Sequence, residues 1–177
     1  MNEIEKLLPK KNVKNFKKEI KKWLKPIKKG IKIEIADSYE CVISKPKIYV
    51  DILRDLKPNN QVDISHRKVY ERSDFQFMSA LDYYTFAFLH ELGHIMTVKP
   101  KNVIEEKELH DEDFERRIAS HIQEKGEKPD YETAIEYYMN TSFERKANEW
   151  AYDFWKNNRN YCDKLEIILN KYSLEST

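Results

Sequence analysis

Five consecutive residues, His90-Glu91-Leu92-Gly93-His94, have the types and the spacing that metal chemistry needs. Two histidines at i and i+4 lie one above the other on a helix face. Both imidazoles can then bind one Zn²⁺, with Glu91 between them free to act as general base. The pattern is HExxH, the zinc-site pattern of metallopeptidases. A catalytic zinc takes three protein ligands and leaves the fourth position to water. The extended pattern HExxHxxGxxH does not supply the third ligand, because position 97 is Thr97 and position 100 is Pro100. The other solution is His₂Glu coordination, with the glutamate on a later helix.

Glu144 is the leading candidate for that glutamate. Glu144, Ala147, Asn148 and Ala151 are spaced to share one helix face. Small residues at 147 and 151 allow close approach to the HExxH helix, and Asn148 can hydrogen-bond a ligand histidine from behind. Phe143, Trp150 and Phe154 fall to the core side. A competing reading takes Thr141-x-x-Glu144 as a capping box, with the carboxylate turned to its own backbone. Glu149 points to another face. His110, in an acidic run, reads as solvated, and His121 as a surface or core-edge residue; both remain alternatives for the third ligand.

These side chains must be held by rigid elements. Phe77 to Thr97 reads as a helix, with Phe77, Leu81, Tyr84, Phe88, Leu92 and Ile95 as its buried stripe. His90 and His94 lie beside that stripe. Ile31 to Ala36 alternates as a strand, and Cys41 to Ser44 and Lys47 to Ile52 read as two more around a turn at Lys45-Pro46. The strand Lys47 to Ile52 is the candidate for pairing with an extended peptide through a free edge. Lys57 to Asn60 reads as a turn, and residues 61–72 as ambiguous. Helices are expected from Asp111 to Lys125, from Pro129 through Met139, from Ser142 to Lys156 and from Leu165 to Tyr172. Asn12 to Lys29 reads as an amphipathic helix with Val13, Phe16, Ile20, Trp23, Leu24 and Ile27 inside and lysines outside.

The expected fold is α+β, with a small antiparallel sheet packed beside a mostly helical, zincin-like core that carries the HExxH helix. Residues 1–30 are expected to form a basic helical segment packed on the domain, and residues 31–177 the zincin-like metallopeptidase domain.

Thr85 to Thr97, with HELGH inside it, and the later Glu144-x-x-Ala147-Asn148-x-x-Ala151 resemble the ImmA/IrrE family of gluzincin-type metallopeptidases. The resemblance covers about residues 75 to 160, with the middle unmatched. It implies His90, His94 and Glu144 as zinc ligands and Glu91 as the catalytic base. It also implies a regulatory target, such as a transcriptional repressor. Lys146 departs from the acid that often precedes the Ala-Asn pair in that family.

Composition bounds the rest. The chain has 177 residues, 40% of them hydrophobic and 36% charged, enough for one domain with its own core. Only 3 residues are Gly, and no phosphate-binding fingerprint appears. No apolar run is long enough to span a membrane, and no secretory signal is visible. Cys41 and Cys162 are isolated, which fits a reducing cytosol and a cytoplasmic location. The net charge of +1 hides an asymmetry. Residues 1–36 hold 12 Lys against 4 Glu, whereas residues 101–136 hold 12 acids against 6 Lys and Arg. The lysine-rich helix therefore offers a surface to an anionic partner, or simply a solvated face. Two functions are expected: a zinc-dependent endopeptidase acting on a protein or peptide substrate, or a non-catalytic zincin scaffold that binds nucleic acid or protein through its basic helix.

Overall fold

The structure, a computed structural model, describes residues 8–36, 38–51, 70–71 and 75–172. The expected turn at Lys57–Asn60 and most of the ambiguous stretch 61–72 lie outside the described residues. The elements run α1 (Lys10–Leu24), β1 (Lys32–Ala36), β2 (Glu40–Val42), β3 (Lys47–Asp51), α2 (Ala80–Thr97), α3 (Val103–Lys125), α4 (Tyr131–Met139), α5 (Ser142–Asn157) and α6 (Arg159–Tyr172). The fold is α+β, helix-rich with one small sheet.

The sheet is mixed rather than antiparallel. Its order is β1-β3-β2, with β1 parallel to β3 and β2 antiparallel to it. β2 and β3 form a short hairpin and so run antiparallel, and β3 sits between β2 and β1, where it runs parallel to β1. The strand starting at Lys47 is therefore central, with both edges paired, and cannot take an added strand. Among the described residues, β1 and β2 are the edge strands; β1 packs on α1 and β2 on the HExxH helix α2.

The HExxH helix α2 starts at Ala80, three residues later than the apolar spacing suggests. Ser79 is the reason: its hydroxyl accepts from the Asp82 N–H at 3.1 Å, and Asp82 accepts back from the Ser79 N–H at 2.9 Å. This capping box satisfies N–H groups that a helix start leaves unpaired. Phe77 is buried ahead of the helix. The helix is not a one-faced stripe. Thr85 through His90 are all buried, while Leu81 and Tyr84 are only half-buried. A helix buried nearly all round is a central element, and α2 contacts the sheet, α5 and α6.

α1 buries Val13, Phe16, Ile20, Trp23 and Leu24, as its periodicity demands. Those side chains join the same apolar cluster as Ile33, Ile48, Phe88, Leu92 and Leu165. Lys28, just beyond α1, donates to the Ile95 carbonyl at 3.2 Å, near the C-terminal end of α2. α3 begins at Val103, eight residues earlier than expected, with Glu105 and Glu106 in its first turn where the helix dipole favours acids. Its end at Gly126 is the left-handed cap that the sequence suggests (φ 78°). Among the described residues, no helix is long and apolar enough to cross a membrane.

Candidate metal centre

α2 and α5 meet at Gly93 and Ala147. A Cβ built on Gly93 would stand 2.5 Å from the Ala147 carbonyl oxygen. Only glycine allows this approach, and Ala147 and Ala151 are fully buried on the facing side. The close contact brings Glu144, in the first turn of α5, to the two histidines of α2. Glu144 Oε2 lies 3.0 Å from His90 Nε2 and 3.2 Å from His94 Nε2. The two Nε2 atoms are 3.1 Å apart. All three side chains are buried.

Glu144 is not a cap. Thr141 stands at the N-cap position without making a side-chain capping bond. Its hydroxyl donates to the Tyr138 carbonyl at 2.8 Å instead. Glu149 is exposed, and His121 sits away from the centre with Nδ1 at 2.9 Å from the Tyr137 hydroxyl. His110 is buried rather than solvated, yet it stands outside the His90–His94–Glu144 group. The acidic residues around it suggest a wet surface, but they occupy the outer face of α3 while His110 faces inward.

Asn148 takes the expected place. Its Oδ1 is 2.7 Å from His90 Nδ1. A carbonyl oxygen can only accept, so Nδ1 carries a proton and Nε2 is the atom turned to Glu144. Phe143 stacks on the His94 ring at 4.3 Å, so it borders the site as well as the core. Among the described residues His94 Nδ1 is buried without a hydrogen-bond partner, and the ring stacks on Phe143.

The three groups fit a metal ion. Two imidazole nitrogens and a carboxylate oxygen, each able to offer a lone pair to a cation, converge at separations of 3.0 to 3.2 Å. With no cation between them the imidazoles can instead carry protons and donate to Glu144. Tetrahedral zinc with bonds of about 2.0–2.1 Å places its ligand atoms about 3.3 Å apart, close to this spacing. The donor set of two imidazoles and one carboxylate is one that zinc and other divalent ions accept.

Charge coupling agrees with the geometry. Burial pushes the Glu144 carboxyl up, but His90 and His94 outweigh it and hold the group well below the usual carboxylate range. Burial alone lowers the His90 imidazole; Glu144, Glu91 and Asn148 together raise it. An open cleft of about 700 Å³ leads to the group. Glu91, β2 with its flanking residues, Tyr70, Tyr138 and His110 line it. Burial, then Glu91, pushes the Tyr70 phenol well up; burial, then Glu144, does the same for Tyr138. Both phenols therefore stay protonated near neutral pH. Cys41 on β2 faces Glu91, and burial followed by that carboxylate raises its thiol. Tyr131 and Tyr137 are not part of the cleft wall, and Tyr137 is bonded to His121, whereas Tyr138, partly open to solvent, lines the cleft. Tyr70, 5.3 Å from His90 ring to ring, has no signal in the sequence, because it sits in a stretch without periodicity.

No known protein family, curated protein or solved structure matches the chain.

Proposed function

We propose that this chain is a zinc-dependent endopeptidase with a zincin-like core, in which His90, His94 and Glu144 hold the metal and Glu91 is the general base. The single observation behind this reading is the convergence of three buried side chains able to bind a cation beside a cleft, with Glu91 in the slot between the two histidines. Zinc held there supplies an acidified water and polarises a carbonyl oxygen. Glu91 takes a proton from the attacking water and delivers it to the leaving amine. The Tyr138 hydroxyl, kept protonated by burial and by Glu144, donates to the oxyanion that develops on the scissile carbonyl. β2, an edge strand among the described residues, lines the cleft and lines up an extended peptide by main-chain hydrogen bonds. The resemblance to ImmA/IrrE peptidases makes the substrate a regulatory protein such as a repressor, cut selectively in the cytoplasm.

Zinc content and peptide cleavage measured together test the reading. Wild type is expected to hold one zinc, and Glu144→Ala to lose most of it. Glu91→Gln keeps zinc and fold while cleavage falls by about 10²–10⁴. Tyr138→Phe keeps zinc and loses roughly 10²-fold. A folded wild type that takes up no zinc sinks the proposal. Cleavage unchanged in Glu91→Gln also sinks it, and function would then pass to the non-catalytic binding scaffold.

A further inference from the structure

His110 has no part in the scheme above, yet it is only 5% exposed in a helix that is otherwise mostly open to solvent. Its Nδ1 lies 2.6 Å from the Thr141 hydroxyl. Thr141 has one hydroxyl proton and gives it to the Tyr138 carbonyl at 2.8 Å, so its oxygen is the acceptor for the ring. This places the imidazole proton on Nδ1 and leaves a lone pair on Nε2. The ring cannot turn away: Tyr138 meets it edge-on at 4.6 Å, and Phe143 packs at 5.6 Å. Phe143 in turn stacks on His94, so His110 is registered to the metal centre through one shared ring.

Nε2 makes no hydrogen bond among the described residues. Asp111 Oδ1 is 3.9 Å away, beyond hydrogen-bond reach, and is itself an acceptor. His110 lines the same cleft as Glu91 and Glu144. A histidine serving packing alone needs neither an assigned tautomer nor a cleft-side lone pair. We propose that His110 is a substrate-contacting residue whose Nε2 accepts a hydrogen bond from one backbone N–H of a peptide lying in the cleft. The inference rests on the peptidase reading. It adds a demand on the substrate: one position near the scissile bond must be a secondary amide, so proline or an N-methylated residue is refused there.

The test uses the zinc-loaded Glu91→Gln full-length protein with ¹⁵N-labelled histidine. The probes are a short peptide hydroxamate and its analogues N-methylated at one backbone position at a time. Imidazole ¹⁵N spectra are expected to show the Nδ1–H tautomer for His110, and its Nε2 resonance moves when the parent probe binds. One methylated analogue is expected to bind roughly three- to tenfold more weakly, the range of one neutral hydrogen bond. In His110→Ala that selective penalty disappears. Thr141→Val retains the ring but frees its anchor, so a tautomer mixture and a partial loss of the penalty are expected if the alanine variant folds poorly. An Nε2–H tautomer in wild type overturns the proposal. So does a probe that shifts the His90 and His94 nitrogens while His110 is silent and the penalty persists in His110→Ala; the peptidase reading survives that result. A probe that leaves the His90 and His94 nitrogens unmoved removes the metal-centre reading, and this inference falls with it.

Discussion

Two helix pairs in this molecule are built on opposite plans. α2 and α5 meet through a glycine and alanines, and polar groups fill the space beyond the contact. α1 and α6 meet through aromatic rings, with Phe16 against Tyr172 at 5.6 Å and Trp23 against Tyr161 at 5.7 Å. Polar bonds there sit at the margin: Trp23 donates to the Tyr161 carbonyl at 2.8 Å, and Lys171 reaches Glu19 at 2.7 Å. The first pair uses proximity to bring three polar side chains together. The second uses area to hold the chain folded. Stability and the candidate metal centre thus rest on different contacts, and substitutions can separate them.

The largest expected effect on stability belongs to the aromatic pair. Phe16 is fully buried, and Phe16→Ala is expected to cost about 3–5 kcal/mol in denaturant unfolding. Zinc per folded molecule is expected to stay unchanged. A variant that keeps its stability but loses zinc would break the separation.

Gly93→Ala attacks the other pair. Alanine is the better helix former by about 1 kcal/mol, so propensity alone predicts a gain. The 2.5 Å approach to a backbone oxygen cannot be relieved by turning a side chain, so α2 and α5 must part. A net loss of about 2–3 kcal/mol is expected, together with weaker zinc binding because Glu144 moves with α5. Competition with a chelator of known affinity reads the second effect. Equal stability with intact zinc affinity would show that the contact is not what sets the site.

Asn148→Ala is expected to weaken zinc by about 10- to 100-fold with the fold retained. It leaves the buried His90 Nδ1–H without its acceptor and frees the ring to turn. Asn148→Asp keeps an acceptor at the same place and is expected to restore most of the affinity. Failure of the aspartate to do better than alanine would reduce Asn148 to a space-filler.

The same contrast explains what the sequence discloses. α1 is legible because its inner face is apolar and its outer face lysine, so period and chemistry coincide. The three side chains of the candidate site are legible because HExxH marks two of them and the Ala147–Ala151 spacing points to the third. α3 is legible only in its second half. Its inward face runs through Val103, Glu106, His110, Asp113, Phe114 and Arg117, and polar residues there hide the helical period. Glu106 pairs with Lys146 and Asp113 with Arg117, which is why such a face can turn inward. His110 is misread for the same reason, since its acidic neighbours share its sequence but not its side of the helix. The sheet's handedness of pairing is not in the pattern at all, because a strand alternates alike whether its neighbour runs parallel or antiparallel.

The smallest effect is expected at the charged margin of the aromatic pair. Glu19 accepts from Lys171 and from the Tyr172 hydroxyl, both at 2.7 Å. The Lys171 and Tyr172 bonds lower its carboxyl, and burial opposes them weakly. A lowered folded pKa means that the ionised form is favoured by folding. The stabilisation is therefore complete above the unfolded carboxylate pKa of about 4.3 and is lost as pH falls through the lower folded value. Because Glu19 is about one-third exposed, screening holds the contribution to roughly 0.5–1 kcal/mol. Glu19→Gln is expected to lose that much at pH 7 and to match wild type in acid, where both side chains are neutral. Added salt should narrow the gap at pH 7. A loss several times larger would mean that α1 is held to α6 by its charges after all, and the division between a margin of ions and a core of rings would have to be redrawn.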